Sequence, residues 1–257
     1  MRTDRVWLSK TSKDICERTG LSDPRAGVRF LARELLGNEP AIPTNLRSIA
    51  MRLNVESVIE ELLPFDGMLV REKGILSIRL NSRSHPLRRR FTFAHELGHI
   101  LLASGENHDA KWKRRACKGR EIERLCDAVA SELLMPENEV RAFFANNEVS
   151  LQKVSIFASR FQVSLQAAAA RVGELKLTQS IFSLLKKQTE KEHYFARLWP
   201  TGKVKLDSSL FLPALQECFT ENHPFRGRVF LHSLRREVRL EAIRLGSSDF
   251  VFISLNL

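Results

Sequence analysis

At 257 residues, with 43% hydrophobic and 28% charged side chains, the chain has the composition of a globular protein with core enough for one large or two modest domains. No apolar run approaches the ~20 residues that cross a bilayer, and the N-terminus lacks a signal-peptide core. Four scattered cysteines (Cys16, Cys117, Cys126, Cys218) without Cys-x-x-Cys spacing exclude a zinc ribbon and argue against a disulfide framework, so a reduced, cytoplasmic protein with no membrane partner is expected. The net charge of +11 fits nucleic acid or an acidic partner but requires neither, so direct DNA contact stays open.

Residues 1–40 read as helical. Asp23-Pro24 starts one helix by the cap-and-proline rule, and Val28, Leu31, Ala32 and Leu35 follow at helical spacing until Gly37. Pro43-Thr44-Asn45 opens another, with Leu46, Ile49, Ala50 and Leu53 on one face. Three short strands are expected at 55–62, 67–71 and 75–80. Asp66-Gly67 and Glu72-Lys73-Gly74 are the turns, and the last two strands form a hairpin. The stretch Ile75–Leu80 is either the sheet edge to which an extended peptide adds as a further strand or an interior strand.

Phe91-Thr92-Phe93-Ala94-His95-Glu96-Leu97-Gly98-His99-Ile100-Leu101-Leu102 reads as a helix, with Ser84 as its N-cap, Pro86 in its first turn and Gly105 after it. Positions four apart project from one face, so His95 and His99 can grip one Zn²⁺ while Glu96 reaches a water in the open position. A zinc ion lowers the pKa of such a water towards ~7, and Glu96 is then the general base. The apolar residues of the stretch give the helix a buried flank, and Gly98 admits another backbone close to the site.

Gly105 to Arg120 carries Lys111, Lys113, Arg114, Arg115, Lys118 and Arg120 around Trp112. It reads as a solvated loop, a lid or a surface for an acidic partner or a phosphate backbone. His108 within it is a candidate to stabilise a tetrahedral oxyanion. Glu123 to Pro136 reads as a second helix. Glu123 and Asp127 share a face, so Glu123 can be the third metal ligand while Asp127 accepts the outer N–H of His95 or His99. Glu132 falls on the opposite side of the wheel and competes only if the register is shifted.

Residues 150–175 have helix-turn-helix grammar: a first helix with Leu151, Val154, Ile156, Phe157 and Phe161, a turn at Gln162-Val163, and a second helix capped by Ser164. That second helix offers only Gln166 and Arg171 around four alanines, which suits a packing hairpin better than base reading. The tail is expected to begin with a helix at Ile181–Lys187. Alternating segments follow at 193–199, 226–234, 238–245 and 249–257, with a short helix near 213–220.

The stretches RRFTFAHELGHILL and E-x-x-x-D-x-x-A-x-E-L-L-M-P resemble the ImmA/IrrE family of metallopeptidases over roughly residues 40–175. That family usually has Glu-x-x-Ala-Asn-x-Phe-Ala-x-Glu-Leu-Leu-Met-Pro, and this chain departs at Cys126, Asp127 and Val129. The resemblance implies His95, His99 and Glu123 as zinc ligands and Glu96 as catalytic residue. Asp127 strengthens the hold on an imidazole N–H, whereas a thiolate at Cys126 could compete with Glu123.

The organisation expected is α+β. A zincin-like metallopeptidase domain with N-terminal helices spans 1–148, a helix-turn-helix-like segment spans 149–177, and a small C-terminal α/β sensor or interaction domain spans 178–257. The activity expected is that of a zinc-dependent endopeptidase. By resemblance its substrate is a helix-turn-helix transcriptional repressor of stress-response or mobile-element genes. The alternative is a regulatory module that sequesters a repressor or binds DNA without proteolysis.

Overall fold

A computed structural model of the chain describes residues 9–37, 40–103, 119–145, 149–187, 193–199, 217–218, 224–231, 236–245 and 250–256. The chain divides into two compact units: Met1–Glu137 with Arg160–Val163, and Asn138–Ser159 with Ser164–Leu257.

The first unit opens with α1 (Lys10–Thr19) and α2 (Pro24–Leu36). Ser9 caps α1 by accepting from the Ser12 N–H, and Asp23 caps α2 by accepting from the Arg25 N–H ahead of Pro24. Both belong to the unit's body. Helix α2 packs on α5 (Arg120–Leu134), and Glu121 of α5 accepts from the hydroxyls of Ser9 and Ser12. Asn45 caps α3 (Leu46–Arg52), which buries Leu46, Ile49 and Ala50. The Thr44 hydroxyl donates to the Leu133 carbonyl across 2.7 Å, which fixes this corner to the last turn of α5.

Strands β1 (Ser57–Glu61), β2 (Gly67–Glu72) and β3 (Ile75–Asn81) form a sheet in the order β1-β3-β2. The hairpin is as expected, but β3 lies in the middle, antiparallel to β2 and parallel to β1. The edge alternative for Ile75–Leu80 therefore fails, and β1 and β2 are the edges. Ile78 and Leu80 are buried, and the central place gives the most apolar strand a neighbour on each side. Gly67 of β2 is a forced choice: a Cβ there would stand 2.6 Å from Thr92 Cγ2 on α4 (Pro86–Ala103).

Helix α4 starts one residue later than its expected cap implies. His85 Nδ1 accepts from the Leu87 N–H at 3.2 Å, while the Ser84 hydroxyl turns to Asp66. Imidazole nitrogen takes the capping place expected of Ser84. Helix α5 ends as expected at Met135-Pro136. Glu132 is fully buried and accepts from the Glu137 N–H, where α6 (Glu137–Phe144) begins.

In the second unit Phe143 and Phe144 of α6 meet Phe157 of α7 (Leu151–Phe161), with ring centroids 5.3 Å apart in each pair. Ser164 caps α8 (Leu165–Glu174) by accepting from the Ala167 N–H. Helix α8 buries Ala168, Ala169, Val172 and Arg171. Strands β4 (Ile181–Lys187), β5 (His193–Trp199), β6 (Phe225–Leu231), β7 (Arg236–Arg244) and β8 (Phe250–Asn256) form an antiparallel sheet in the order β5-β4-β8-β7-β6. The helix expected at Ile181–Lys187 is thus strand β4. A seven-residue apolar run carries no decisive period, and pairing with β5 and β8 on its two sides settles it. The other alternating segments are strands whose described bounds lie within three residues of those expected. The short helix near 213–220 lies outside the described residues except at 217–218, which are helical.

Glu241 of β7 does unusual work for a strand residue. It is buried, and its Oε2 accepts from the Leu151 N–H at 2.6 Å, so it closes the first turn of α7 from the sheet. Its Oε1 stands 3.8 Å from Arg226 Nε.

Candidate metal centre

Helix α4 turns its apolar side inward: Phe93, Ala94, Leu97, Ile100, Leu101 and Leu102 are buried. That leaves His95 and His99 one turn apart on the flank facing α5. Helix α5 buries Leu125, Cys126, Val129 and Leu133, which puts Glu123 and Asp127 on its half-open side. Gly98 is what lets the two helices close. A Cβ at that position would sit 3.1 Å from the Cα and 3.2 Å from the carbonyl oxygen of Cys126, so a larger residue would push α5 away.

Of the groups the sequence reading placed here, His95, His99, Glu123 and Asp127 converge. His95 Nδ1 lies 2.9 Å from Asp127 Oδ1. That bond holds the Nδ1–H tautomer and leaves the Nε2 lone pair directed at the common point. His95 Nε2 is 3.2 Å from His99 Nε2 and 3.2 Å from Glu123 Oε2, and His99 Nε2 is 3.8 Å from Glu123 Oε1. Two ligands each ~2.0–2.1 Å from a tetrahedral ion stand ~3.3–3.4 Å apart, so two imidazole nitrogens and a carboxylate at these spacings fit one divalent cation. Asp127 serves His95 and not His99, which decides between the two alternatives. Glu132 faces the interior, away from this set.

Cys126 is the second candidate for a third ligand. Its Sγ and the ligand nitrogens of His95 and His99 all lie within 4.8 Å of one another. The Glu123 oxygens stand 3.2 Å from His95 Nε2 and 3.8 Å from His99 Nε2, spacings that suit a shared ion, while the Cys126 thiol is fully buried.

Electrostatics separate the ionisable groups. Burial pushes the Glu96 carboxyl up to about 7, an effect that the His95 charge opposes and Glu123 reinforces. Burial disfavours the charged form of His95, but the hydrogen bond and charge of Asp127, with Glu96 and Glu123, outweigh it and hold His95 above its ordinary value. His99 lies below its ordinary value because burial and the neighbouring His95 charge both oppose its protonation. Among the described residues Glu96 makes no hydrogen bond, so its carboxyl is held beside the cluster without a fixed partner.

His108 and the basic stretch 104–118 lie outside the described residues. Sequence reasoning passed over Arg88, Arg89 and Arg90 at the start of α4. Three consecutive arginines look like a solvated first turn, yet Arg90 is half-buried and donates from Nη2 to the Thr44 carbonyl at 2.8 Å.

A sheet followed by a His-Glu-x-x-His helix, with a carboxylate of the next helix brought against both imidazoles, is the arrangement of a metallopeptidase. Residues 50–172 match the family model of Peptidase_M78, the IrrE N-terminal-like domain, so this stretch is similar to that family of metallopeptidases. The radiation response metalloprotease IrrE of Deinococcus radiodurans is 29% identical over 156 residues, which cover 58% of this chain and 45% of that protein. The chain thus spans about half the length of this curated relative. A solved structure of a Mycobacterium tuberculosis transcriptional regulator superposes with a TM-score of 0.55 at 14% identity, covering 96% of this chain and 92% of the other, a likeness of fold alone. No helix among the described residues is long and apolar enough to cross a membrane.

Proposed function

We propose that the protein is a cytoplasmic zinc-dependent endopeptidase that cleaves a helix-turn-helix transcriptional repressor and so relieves repression. The observation that carries the reading is the meeting of His95 Nε2, His99 Nε2 and the Glu123 carboxylate at 3.2–3.8 Å, with Asp127 holding the far nitrogen of His95. In this reading His95, His99 and Glu123 hold the zinc. A bound zinc supplies Lewis acidity for the scissile carbonyl and lowers the pKa of a water. Glu96 accepts the proton of the attacking water and passes it to the leaving amine. Its carboxyl is buried beside the set, where it can hold the proton between water and leaving amine. His108 is the candidate donor to the developing oxyanion.

A regulatory substrate is supported by the likeness to a radiation response metalloprotease. Residues 1–148 carry the chemistry, and 149–177 and 178–257 serve docking or sensing. A protein partner is favoured over direct base reading, because Arg171 of α8 is buried and paired with Glu174 at 3.1 Å instead of being offered to a groove.

The test is to express wild type and Glu96→Gln beside a candidate repressor and follow repressor length and reporter output. Glutamine keeps the shape but cannot take the proton. Zinc and partner binding should persist while cleavage falls by ~10²–10⁴-fold. An intact repressor with full de-repression in the Gln variant would mean that sequestration alone carries the function.

A further inference from the structure

We propose that the cavity between α3, β1, β3 and the first turns of α4 is a binding site for a phosphate group, either free or carried by a small phosphomonoester. The cavity holds about 330 Å³ and is walled on its apolar side by Val58, Leu80 and Phe93. That volume is at the lower end for small-molecule sites. Its polar side is built by Asn45, Arg47, Glu60, Arg89 and Arg90. None of these residues belongs to the set around His95.

The charges do not balance. Glu60 is answered by Arg89, whose Nε lies 3.4 Å from Glu60 Oε2 and whose Nη1 donates to the carbonyls of Ser82 and Ser84 at 2.8 and 2.9 Å. Arg89 is thereby fixed and neutralised. Arg47 and Arg90 have no carboxylate within ion-pair distance among the described residues. Arg90 is the more telling of the two. Its one acceptor among them is the Thr44 carbonyl, and its Nε is shut off from solvent with no partner. Burial also pulls Arg90 below the ordinary arginine range, which is the cost of holding a cation without a counter-charge. A guanidinium presents five donors in a fixed fork, so most of its capacity here is unused.

Two unanswered cations facing one cavity call for a dianion. A phosphomonoester carries about −1.5 to −2 near neutral pH, and its tetrahedral oxygens can accept from two guanidinium groups approaching from different sides. Asn45 adds a neutral donor: its Oδ1 is committed to the Ser48 N–H, which leaves the amide nitrogen available. A single carboxylate would leave about one positive charge over.

The experiment uses the full-length, metal-loaded protein. Inorganic phosphate and glycerol 3-phosphate are titrated calorimetrically against wild type, Arg47→Ala and Arg90→Met, with potassium chloride holding the ionic strength constant. Saturable binding is expected in wild type and about tenfold or greater weakening in either variant, the worth of one charge-assisted hydrogen bond. Tighter binding of glycerol 3-phosphate than of phosphate would identify an organic monoester as the occupant, and equal binding would identify phosphate itself. Affinity unchanged in both variants would place the anion at the metal or elsewhere and overturn the site, as would an equal response to chloride. Arg47 is exposed, so Arg47→Ala decides the matter if Arg90→Met fails to fold.

Discussion

The α4–α5 helix pair and the β4–β8 sheet use their carboxylates in opposite ways. On the helix pair Glu123 and Asp127 have side chains 51% and 54% exposed, and both point at imidazoles. In the sheet Glu241 is 5% exposed and closes the first turn of α7. Glu132 shares a helix with Glu123 yet belongs with Glu241, since it is fully buried and holds the start of α6. A carboxylate enclosed with its donors already in place is architecture. One left half open with imidazoles as its neighbours keeps room for a ligand.

The sharpest way to break this comparison is to remove members of the open set. His95→Ala, His99→Ala or Glu123→Ala should each abolish stoichiometric metal, a loss of several kcal/mol, because two ligands cannot close the shell. Metal analysis of the purified variants checks it, and full zinc in any of the three would remove that residue from the set. Asp127→Ala touches only the orientation of His95. It should weaken metal affinity by about 10–100-fold without abolishing binding, as read by competition with a chelator.

The enclosed set should respond in stability instead. Glu241→Ala leaves the buried Leu151 N–H without its acceptor and should destabilise the fold by about 1–3 kcal/mol, with zinc content unchanged in the folded fraction. Denaturant unfolding at matched zinc load measures this. Lost metal with intact stability would reverse the comparison.

The smallest effect lies at the surface. Asp66 is held below its ordinary value of 3.8, chiefly by the hydrogen bond from Arg88. A carboxylate depressed in the folded state adds stability above its ordinary value and loses it as pH falls through the depressed one. Both side chains are more than a third exposed, so the pair is worth at most about 1 kcal/mol. Arg88→Ala should therefore be slightly less stable than wild type near neutrality. Urea unfolding should show that gap narrowing as pH drops below 3.8.

How much of this could be read in advance follows from the range of the interactions involved. The His-Glu-x-x-His helix, the acid-bearing helix after it, the β2–β3 hairpin and the caps at Asp23, Asn45 and Ser164 are local patterns, complete within a turn or two of chain. Gly98 was legible as well, since glycine among large apolar residues on a helix flank implies a close neighbour. The position of β3 was not, because it depends on parallel pairing with β1 about 20 residues away, which no local period encodes. Strand β4 needed β5 and β8 before its apolar run had a meaning. The Arg90 environment was hidden for the same reason: a charge run gives no sign of which of its members will be enclosed. At the metal centre the residue types were legible, while the pairing of Asp127 with His95 in preference to His99 required coordinates.

The bond from Leu151 to Glu241 spans 90 residues and reaches well past residue 172, where the family match stops. A gene fragment cut to that match would end α7 and α8 without the strands that complete their compact unit, with an unsatisfied amide at one end of the pair and a bare Ala168, Ala169 and Val172 surface at the other. Such a fragment should be sticky and prone to degradation. Recombination at the edge of the family match would separate α7 from the strand residue that closes its first turn.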